Sequence, residues 1–199
     1  MKTILTPLLA ALVLACAPLA HAEKADRNKP MHIEADALRH DDLKQVSVFT
    51  GNVVVTKGTI VLRGARLEVR QDDDGYQHGT MTADTGKRAF FRQKRDTAAN
   101  QPPEFVEGEA EVIAYDARAD DVTLTRQAEL RRYRATTLAD EIHGAVIVYH
   151  NLTDVFTVDG AKAGAGTDTR VRAVLTPKDS DAPPAAAPQA PAANKAGAQ

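Results

Sequence analysis

The stretch 48-VFTGNVVVTKGTIVLRGARLEV-69 decides the fold class. Val53 and Val55 project to one side of an extended chain, and Asn52, Val54 and Thr56 project to the other. After Lys57-Gly58 the alternation resumes with Ile60 and Leu62, and Leu67 and Val69 follow. These are consecutive strands that each hide one apolar face. Yet the chain contains no Trp, and only 5% of its residues are aromatic. Small aliphatic side chains must line whatever space the strands enclose.

Working outward, no stretch between Met31 and Lys178 sustains a helical period. Short alternating runs recur instead, at residues 32–37, 46–55, 59–69, 111–115, 121–124, 141–149, 155–158 and 170–175. Turn-forming clusters such as Asp72-Asp73-Asp74-Gly75 and Ala161-Lys162-Ala163-Gly164 separate several of them. Many short strands with frequent turns predict an all-β sandwich, jelly roll or solenoid. A weak repeat favours stacked, similar hairpins over a simple two-sheet sandwich. A small residue is followed three and five positions later by apolar ones in Gly64/Leu67/Val69, Ala110/Ile113/Tyr115 and Gly144/Ile147/Tyr149. The spacing of two within each apolar pair puts both on one strand face.

The ends differ from this middle. Lys2, the apolar run Ile4–Leu19 and Ala20-His21-Ala22 read as a cleaved signal peptide over residues 1–22. The competing reading is a lipoprotein signal ending at Cys16, which Leu14 fits poorly and which the apolar run overshoots. Cleavage after Ala22 removes the only cysteine and with it any disulfide, thiolate nucleophile or Cys-based metal site. It also moves the formal charge from -2 to about -3, too mild to attract nucleic acid globally. Residues 23–30 form an arm, 31–178 one domain, and 179–199 an Ala/Pro tract predicted to be disordered. An exported chain without cysteines suits the periplasm.

Catalytic patterns are lacking. His32, His40, His78, His143 and His150 form no H-E-x-x-H, and there is no G-x-S-x-G, P-loop or dinucleotide fingerprint. Asp72–Gly75 lacks the ligand spacing of an EF-hand loop and reads as a solvated turn. Glu107, Glu109 and Glu111 share one strand face and read as a polar exterior rather than a glycosidase pair. No enzyme, metal or cofactor is expected. Two basic clusters remain: Lys87, Arg88, Arg92, Lys94 and Arg95 around Phe90-Phe91, and Arg131, Arg132 and Arg134 around Tyr133. They read either as a solvated face or as a phosphate-attracting one.

Ordered pieces across nearly the whole domain carry a family resemblance. They are Pro30–Asp36, Phe49–Val53, Gly64–Leu67, Phe91–Asp96, Glu107–Glu111 with Tyr115-Asp116, Ile142–Gly144 with Ile147–Tyr149, Val158–Gly160 and Arg170–Pro177. With these the chain resembles the LptA, or OstA-like, family of periplasmic lipopolysaccharide-transport proteins. One departure is local: the family's Gly-x-Pro turn is Gly86-Lys87-Arg88 here. The resemblance implies a twisted β-jelly roll open at both ends. It also implies lipopolysaccharide carriage between membranes without a reaction, acyl chains lying between the sheets. Implied partners are an LptC-like protein at one end and an LptD-like protein at the other, with head-to-tail self-association through the same ends.

Combined with the alternation, this places Ile33, Val53, Val55, Leu67, Ile113, Tyr115, Ile147 and Tyr149 on the inward, lipid-facing side. The first strand (Met31 to Ala37) and the last (Arg170 to Leu175) hold β-favourable residues without interrupting Pro. Ile33, Ala35, Val171, Ala173 and Leu175 are therefore the expected partner edges for strand addition. The alternative is a secreted β-repeat protein that binds polysaccharide or builds a shell, against which the poor aromatic content argues.

Overall fold

In the computed structural model the stretch 48–69 becomes most of one long bent hairpin, β3 (Val46–Lys57) and β4 (Ile60–Gln71). The structure describes residues 26, 29–98, 100–160 and 170–177. The predicted leader, most of the arm, the Ala161–Gly164 cluster and the Ala/Pro tail lie outside the described residues. Two short strands precede the hairpin, β1 (Met31–Glu34) and β2 (Ala37–Asp41). After it come β5 (Gln77–Thr82), β6 (Ala89–Lys94), β7 (Glu104–Ala110) and β8 (Val112–Asp116). A second long hairpin, β9 (Asp121–Arg134) and β10 (Thr137–His150), leads to β11 (Val155–Asp159) and β12 (Arg172–Leu175). Every pairing is antiparallel.

The four long strands each serve two layers. Residues 53–57 of β3 and 60–64 of β4 lie in a first layer ordered β1-β3-β4-β6-β7-β9-β10-β12. Residues 46–50 of β3 and 66–71 of β4 lie in a second, ordered β2-β3-β4-β5-β8-β9-β10-β11. Strands β9 and β10 divide likewise, at Arg126-Gln127 and between Gly144 and Val146. At each crossing the ladder slips or the backbone turns. Gly51 and Asn52 have φ of 79° and 46°, and Arg126 and Gln127 have 64° and 51°. Such bulges bend a strand and re-aim its side chains. The result is a jelly roll folded along one spine of corners, its layers closing over a shared core from Val53 and Phe91 through Leu124 and Leu130 to Tyr149.

The sequence repeat acquires a physical cause here. Gly64, Ala110 and Gly144 all sit at corners, and the apolar pairs after them are the first inward positions of the second layer. A Cβ on Gly64 would meet Met81 Sδ at 2.5 Å, and one on Gly144 would meet Val158 Cγ1 at 2.5 Å. Crowding at the fold line therefore selects small residues. The hairpins are stacked as the repeat predicts, but each is creased, so the stack is two-layered as well.

The first strand differs from the expectation. It ends at Glu34, and the chain crosses layers at Ala35-Asp36 before β2 begins. The Asp36 N–H donates to the Gly51 carbonyl (3.0 Å), and Asn52 Nδ2 donates to Asp36 Oδ2 (2.9 Å), tying this crossing to the corner in β3. Strands β5, β6 and β7, all but the first residue of β2, and the second half of β9 fall outside the alternating runs. The buried Asp26 carboxylate caps the tip of the first hairpin, accepting the Thr59 N–H at 2.9 Å and its hydroxyl at 2.5 Å.

Candidate functional site: a slot between the layers

All eight residues predicted to face inward belong to, or pack against, the shared core. Val53, Val55, Leu67, Ile113, Ile147 and Tyr149 are buried, while Ile33 and Tyr115 are half-buried against them. The core is incomplete. Between the layers a narrow, partly open cleft of about 50 Å³ runs beneath the first hairpin. Val55, Leu67, Ile113 and Tyr115 line it; Ile33, Val53, Ile147 and Tyr149 do not. Sequence reasoning omitted Met31, Ile60, Leu62, Val69, Phe91 and Val122, which complete the wall with Lys57, Gln77 and Gly79. Ile60, Leu62 and Val69 carry the same alternation as their neighbours, so that signal was available. Phe91 was masked by its neighbour Phe90, which faces outward under the Arg63 guanidinium, 5.8 Å from its ring centroid.

The mouth lies opposite the corner spine, where the hairpin tips of the two layers face each other. Lys57 Nζ stands 5.7 Å from the Tyr115 ring centroid there, a cation–π contact between layers. Beside it, the Asp72–Gly75 turn closes on itself: Asp72 Oδ1 accepts the N–H groups of Asp74 (3.1 Å) and Tyr76 (2.9 Å). Arg118 pairs with Asp72 and Asp74 across this turn. Burial opposes the charge of Asp72, but hydrogen bonds from His78, Tyr76 and Arg118 outweigh it and hold the carboxyl below its ordinary range.

The basic clusters separate by direction. Arg88, Arg92 and Arg131 lie on the outer face of the first layer, where carboxylates take their charge. Arg88 pairs with Glu109 and with Glu129 (2.6 Å), Arg92 with Glu107, and Arg131 with Glu109 (2.7 Å) and Glu129 (2.9 Å). Burial works against the Glu129 carboxylate, yet the Arg88 hydrogen bond and the charges of Arg131 and Arg88 lower its pKa. Arg88, at the end of the Gly86-Lys87-Arg88 turn, is a central member of this ladder. For these three arginines the phosphate-attracting reading gives way to ion pairing. Glu129, Glu141 and His143 bring ligand atoms within 4.8 Å of one another, but the Glu129 oxygens are held by two guanidinium groups, so a cation would displace existing pairs.

Arg95, Arg132 and Arg134 belong to the inner rim beyond the cleft. Arg132 and Arg134 continue the strand face of the buried Ala128 and Leu130. Arg132 Nε donates to Asp140 at 2.7 Å, and Asp140 also accepts the Thr176 N–H beside β12 (3.1 Å). Arg95 meets Glu104 at 2.8 Å and, across the gap between layers, Asp154 at 2.8 Å. The Tyr149 hydroxyl donates to the same Asp154 oxygen (2.7 Å). Burial disfavours the Arg95 charge, but Asp154 and Tyr149 more than compensate and raise its pKa further. The interior is thus apolar and open under the first hairpin, polar and clasped under the second.

The expected partner edges are distributed unevenly. Ile33 lies on β1, and Ala173 and Leu175 on β12, the two outer strands of the first layer. Ala35 falls in the crossing after β1, and Val171 precedes β12.

Comparison with known proteins agrees with this architecture. The sequence model of the family described as "LptA/(LptD N-terminal domain) LPS transport protein" matches residues 32–155. The lipopolysaccharide export system protein LptA of Haemophilus influenzae is 34% identical over 169 residues, covering 85% of this chain and 89% of the relative. LptA of Escherichia coli K12 is 36% identical over 142 residues, 71% of this chain and 73% of that one. The crystal structure of LptH, the LptA-homologous periplasmic component of the lipopolysaccharide transport device of Pseudomonas aeruginosa, superposes with a TM-score of 0.62 at 25% identity. That match covers 76% of this chain and 99% of LptH. The two-layered jelly roll with an apolar slot is a member of the LptA/(LptD N-terminal domain) lipopolysaccharide-transport family.

Proposed function

We propose that this protein is a periplasmic bridge module that carries lipopolysaccharide toward the outer membrane, with acyl chains between its layers and no chemical step of its own. The apolar cleft between Val55, Leu62, Leu67, Phe91 and Ile113 carries this reading. An alkyl chain gains there what a sugar cannot, about 0.8 kcal/mol for each methylene removed from water. The related export-system proteins support the lipid's identity.

The ends of the stack suit serial assembly with LptC-like and LptD-like jelly rolls, or with further copies. Among the described residues β1 pairs with β3 alone and β12 with β10 alone, which puts them at the two ends of the first layer. They flank the same layer. A partner added to β12 through its own β1 extends both that layer and the slot beneath it. Two different edges make a heterologous contact, which propagates rather than closing as a dimer. Apolar side chains are exposed at both ends, Leu38 at 60% beside the first and Leu175 at 63% at the last.

A photo-crosslinking amino acid tests the carrier role in cells. At Tyr115 or Leu62, which line the cleft, it should capture lipopolysaccharide. At Val148, which faces outward on β10, it should not. Equal labelling at all three positions refutes an acyl-binding slot, and capture of polysaccharide without lipid favours the polysaccharide-binding alternative.

A further inference from the structure

Arginines inside an all-β slot are costly unless each is paired, since a guanidinium leaves water only with its charge compensated. Arg95, Arg132 and Arg134 nonetheless converge in one recess, lined by these three with Glu104, Asp140, Tyr133 and Ala139. Three cations face two carboxylates within that lining. The balancing charge, Asp154, comes from the opposite layer, in the loop between β10 and β11.

This third pair is asymmetric. The Arg95 side chain is 12% exposed and fixed by Glu104, whereas Asp154 is 40% exposed. Both Nε (3.1 Å) and Nη2 (2.8 Å) of Arg95 reach the same oxygen, Oδ1 of Asp154. A guanidinium fork is matched better by two oxygens of one anion, so Asp154 fills its place incompletely. In the inward row that contains Arg132 lies Gln93, 1% exposed, whose Oε1 has no hydrogen-bond donor among the described residues. The recess therefore holds cations with an exchangeable anion, and the inward row beside it offers the Gln93 Oε1 acceptor. A phosphorylated sugar offers both a phosphate and hydroxyl groups.

We infer that Arg95, Arg132 and Arg134 form a headgroup subsite for a phosphorylated glycolipid, and that Asp154 is a resident anion which the lipid phosphate displaces. Resting on the carrier reading above, this assigns the second half of the slot a separate task. Acyl chains enter the open cleft under the first hairpin, and their headgroup projects through the gap between the hairpin tips. To advance, it must pass where Arg95 and Asp154 bridge that gap. The phosphate opens the bridge by taking over Arg95, and the bridge re-forms behind it.

The test is lipid titration of the mature chain, using bisphosphorylated lipid A and the same lipid with its phosphates removed. The wild type should prefer the phosphorylated lipid about tenfold, as one exchangeable charge-assisted contact allows. Arg95→Gln should erase the preference, its loss confined to phosphorylated lipid. Asp154→Asn should act oppositely, tightening phosphorylated lipid several-fold by removing the competitor. Arg134→Gln, whose contact to Glu104 is long at 3.7 Å, should weaken the preference without breaking the bridge and serves if Arg95→Gln misfolds. Wild type that binds both lipids equally overturns the subsite, as do Arg95→Gln and Asp154→Asn shifting both lipids in one direction. Inorganic phosphate added alone should bind far more weakly than the lipid preference implies; comparable binding would make this a free-phosphate site. Binding of neither lipid would sink the carrier reading itself, and the subsite with it.

Discussion

The corner at Gly144 offers a quantitative test of the creased-sheet architecture. A methyl group there would lie 2.5 Å from Val158 Cγ1, 3.0 Å from the Asp159 carbonyl oxygen and 3.5 Å from that of Val146. Carbon contacts are comfortable at about 3.5–4.0 Å, so the first overlap is about 1 Å deep. Val158 is β-branched with a stiff χ1, and the oxygen of Asp159 is backbone, so neither yields without shifting β11. Overpacking of this kind costs about 1–3 kcal/mol. Replacing glycine returns about 0.4–1 kcal/mol by restricting the unfolded chain. Gly144→Ala should therefore lose about 1–2 kcal/mol, and Tm should fall about 2–4 °C per kcal/mol for a domain of this size. Circular dichroism melts of the mature chain read this directly. Val158→Ala in the same background removes the methyl group that clashes and should restore much of the loss, seen as coupling in a double-mutant cycle. Gly64→Ala should cost less, because its nearest neighbour, Met81 Sδ at 2.5 Å, ends a flexible side chain. An unshifted melt for Gly144→Ala, or strict additivity with Val158→Ala, would refute close packing at the corner.

Two further outcomes follow from the outer ladder and the terminal strand. The folded-state pKa of Glu129 is depressed, so its contribution is fully present above the ordinary glutamate range near 4.5 and is lost as pH falls through the lower folded value. Urea midpoints should therefore drop from about pH 5 downward, and Glu129→Gln should flatten that slope; an unchanged slope removes Glu129 from the account. Val174→Pro takes a ladder donor from β12, which among the described residues pairs with β10 alone. End-to-end association, measured by sedimentation across protein concentrations, should weaken at least about tenfold, or about 1.4 kcal/mol, while the melt moves little. Undiminished association would exclude β12 as the joining edge.

What the residues reveal unaided is the part of the fold governed by alternation. Val53, Val55, Leu67 and Ile113 can be assigned inward because their strands present clean two-residue periods, and burial follows. The pattern fails where an inward position is polar or an outward one is apolar. Phe90 and Phe105 face outward under Arg63 and Arg92, erasing the period in β6 and β7. Gln93, Arg132 and Arg134 face inward, so the second half of β9 reads as a charged loop. Corners are visible only as a faint repeat of small residues, because the cause, crowding against Met81 and Val158, lies far away in sequence. Which arginines face the slot depends on one-residue parity in β9: Arg131 and Arg132 are adjacent, yet one pairs outside with Glu129 and the other inside with Asp140.

The same geometry bears on how a lipid could travel through so narrow a body. A twelve-carbon chain moved from water into the cleft would gain on the order of 10 kcal/mol, at about 0.8 per methylene. Lipopolysaccharide leaves a membrane that already shields its chains, so most of that gain cancels and transfer lies near balance. Small local terms then decide the path. Under the first hairpin the layers stand apart, but further along Leu124 of the second layer presses onto Gly108 of the first, so closely that a Cβ there would meet Leu124 Cδ2 at 2.5 Å. No chain fits between those two residues while the layers are closed. Passage must part them, giving up the burial of Leu124 and Leu130 for a moment and regaining it through the chain that replaces them. Acyl chains can offset an apolar opening of that kind, but they cannot offset a broken ion pair. The clasp at Arg95 and Asp154 needs an anion to take its place, and the headgroup is the part of the lipid that carries one. On the proposed subsite, such a carrier advances an anionic amphiphile, chains through the constriction and phosphate through the clasp, and holds back the same lipid stripped of its phosphates at the first hairpin.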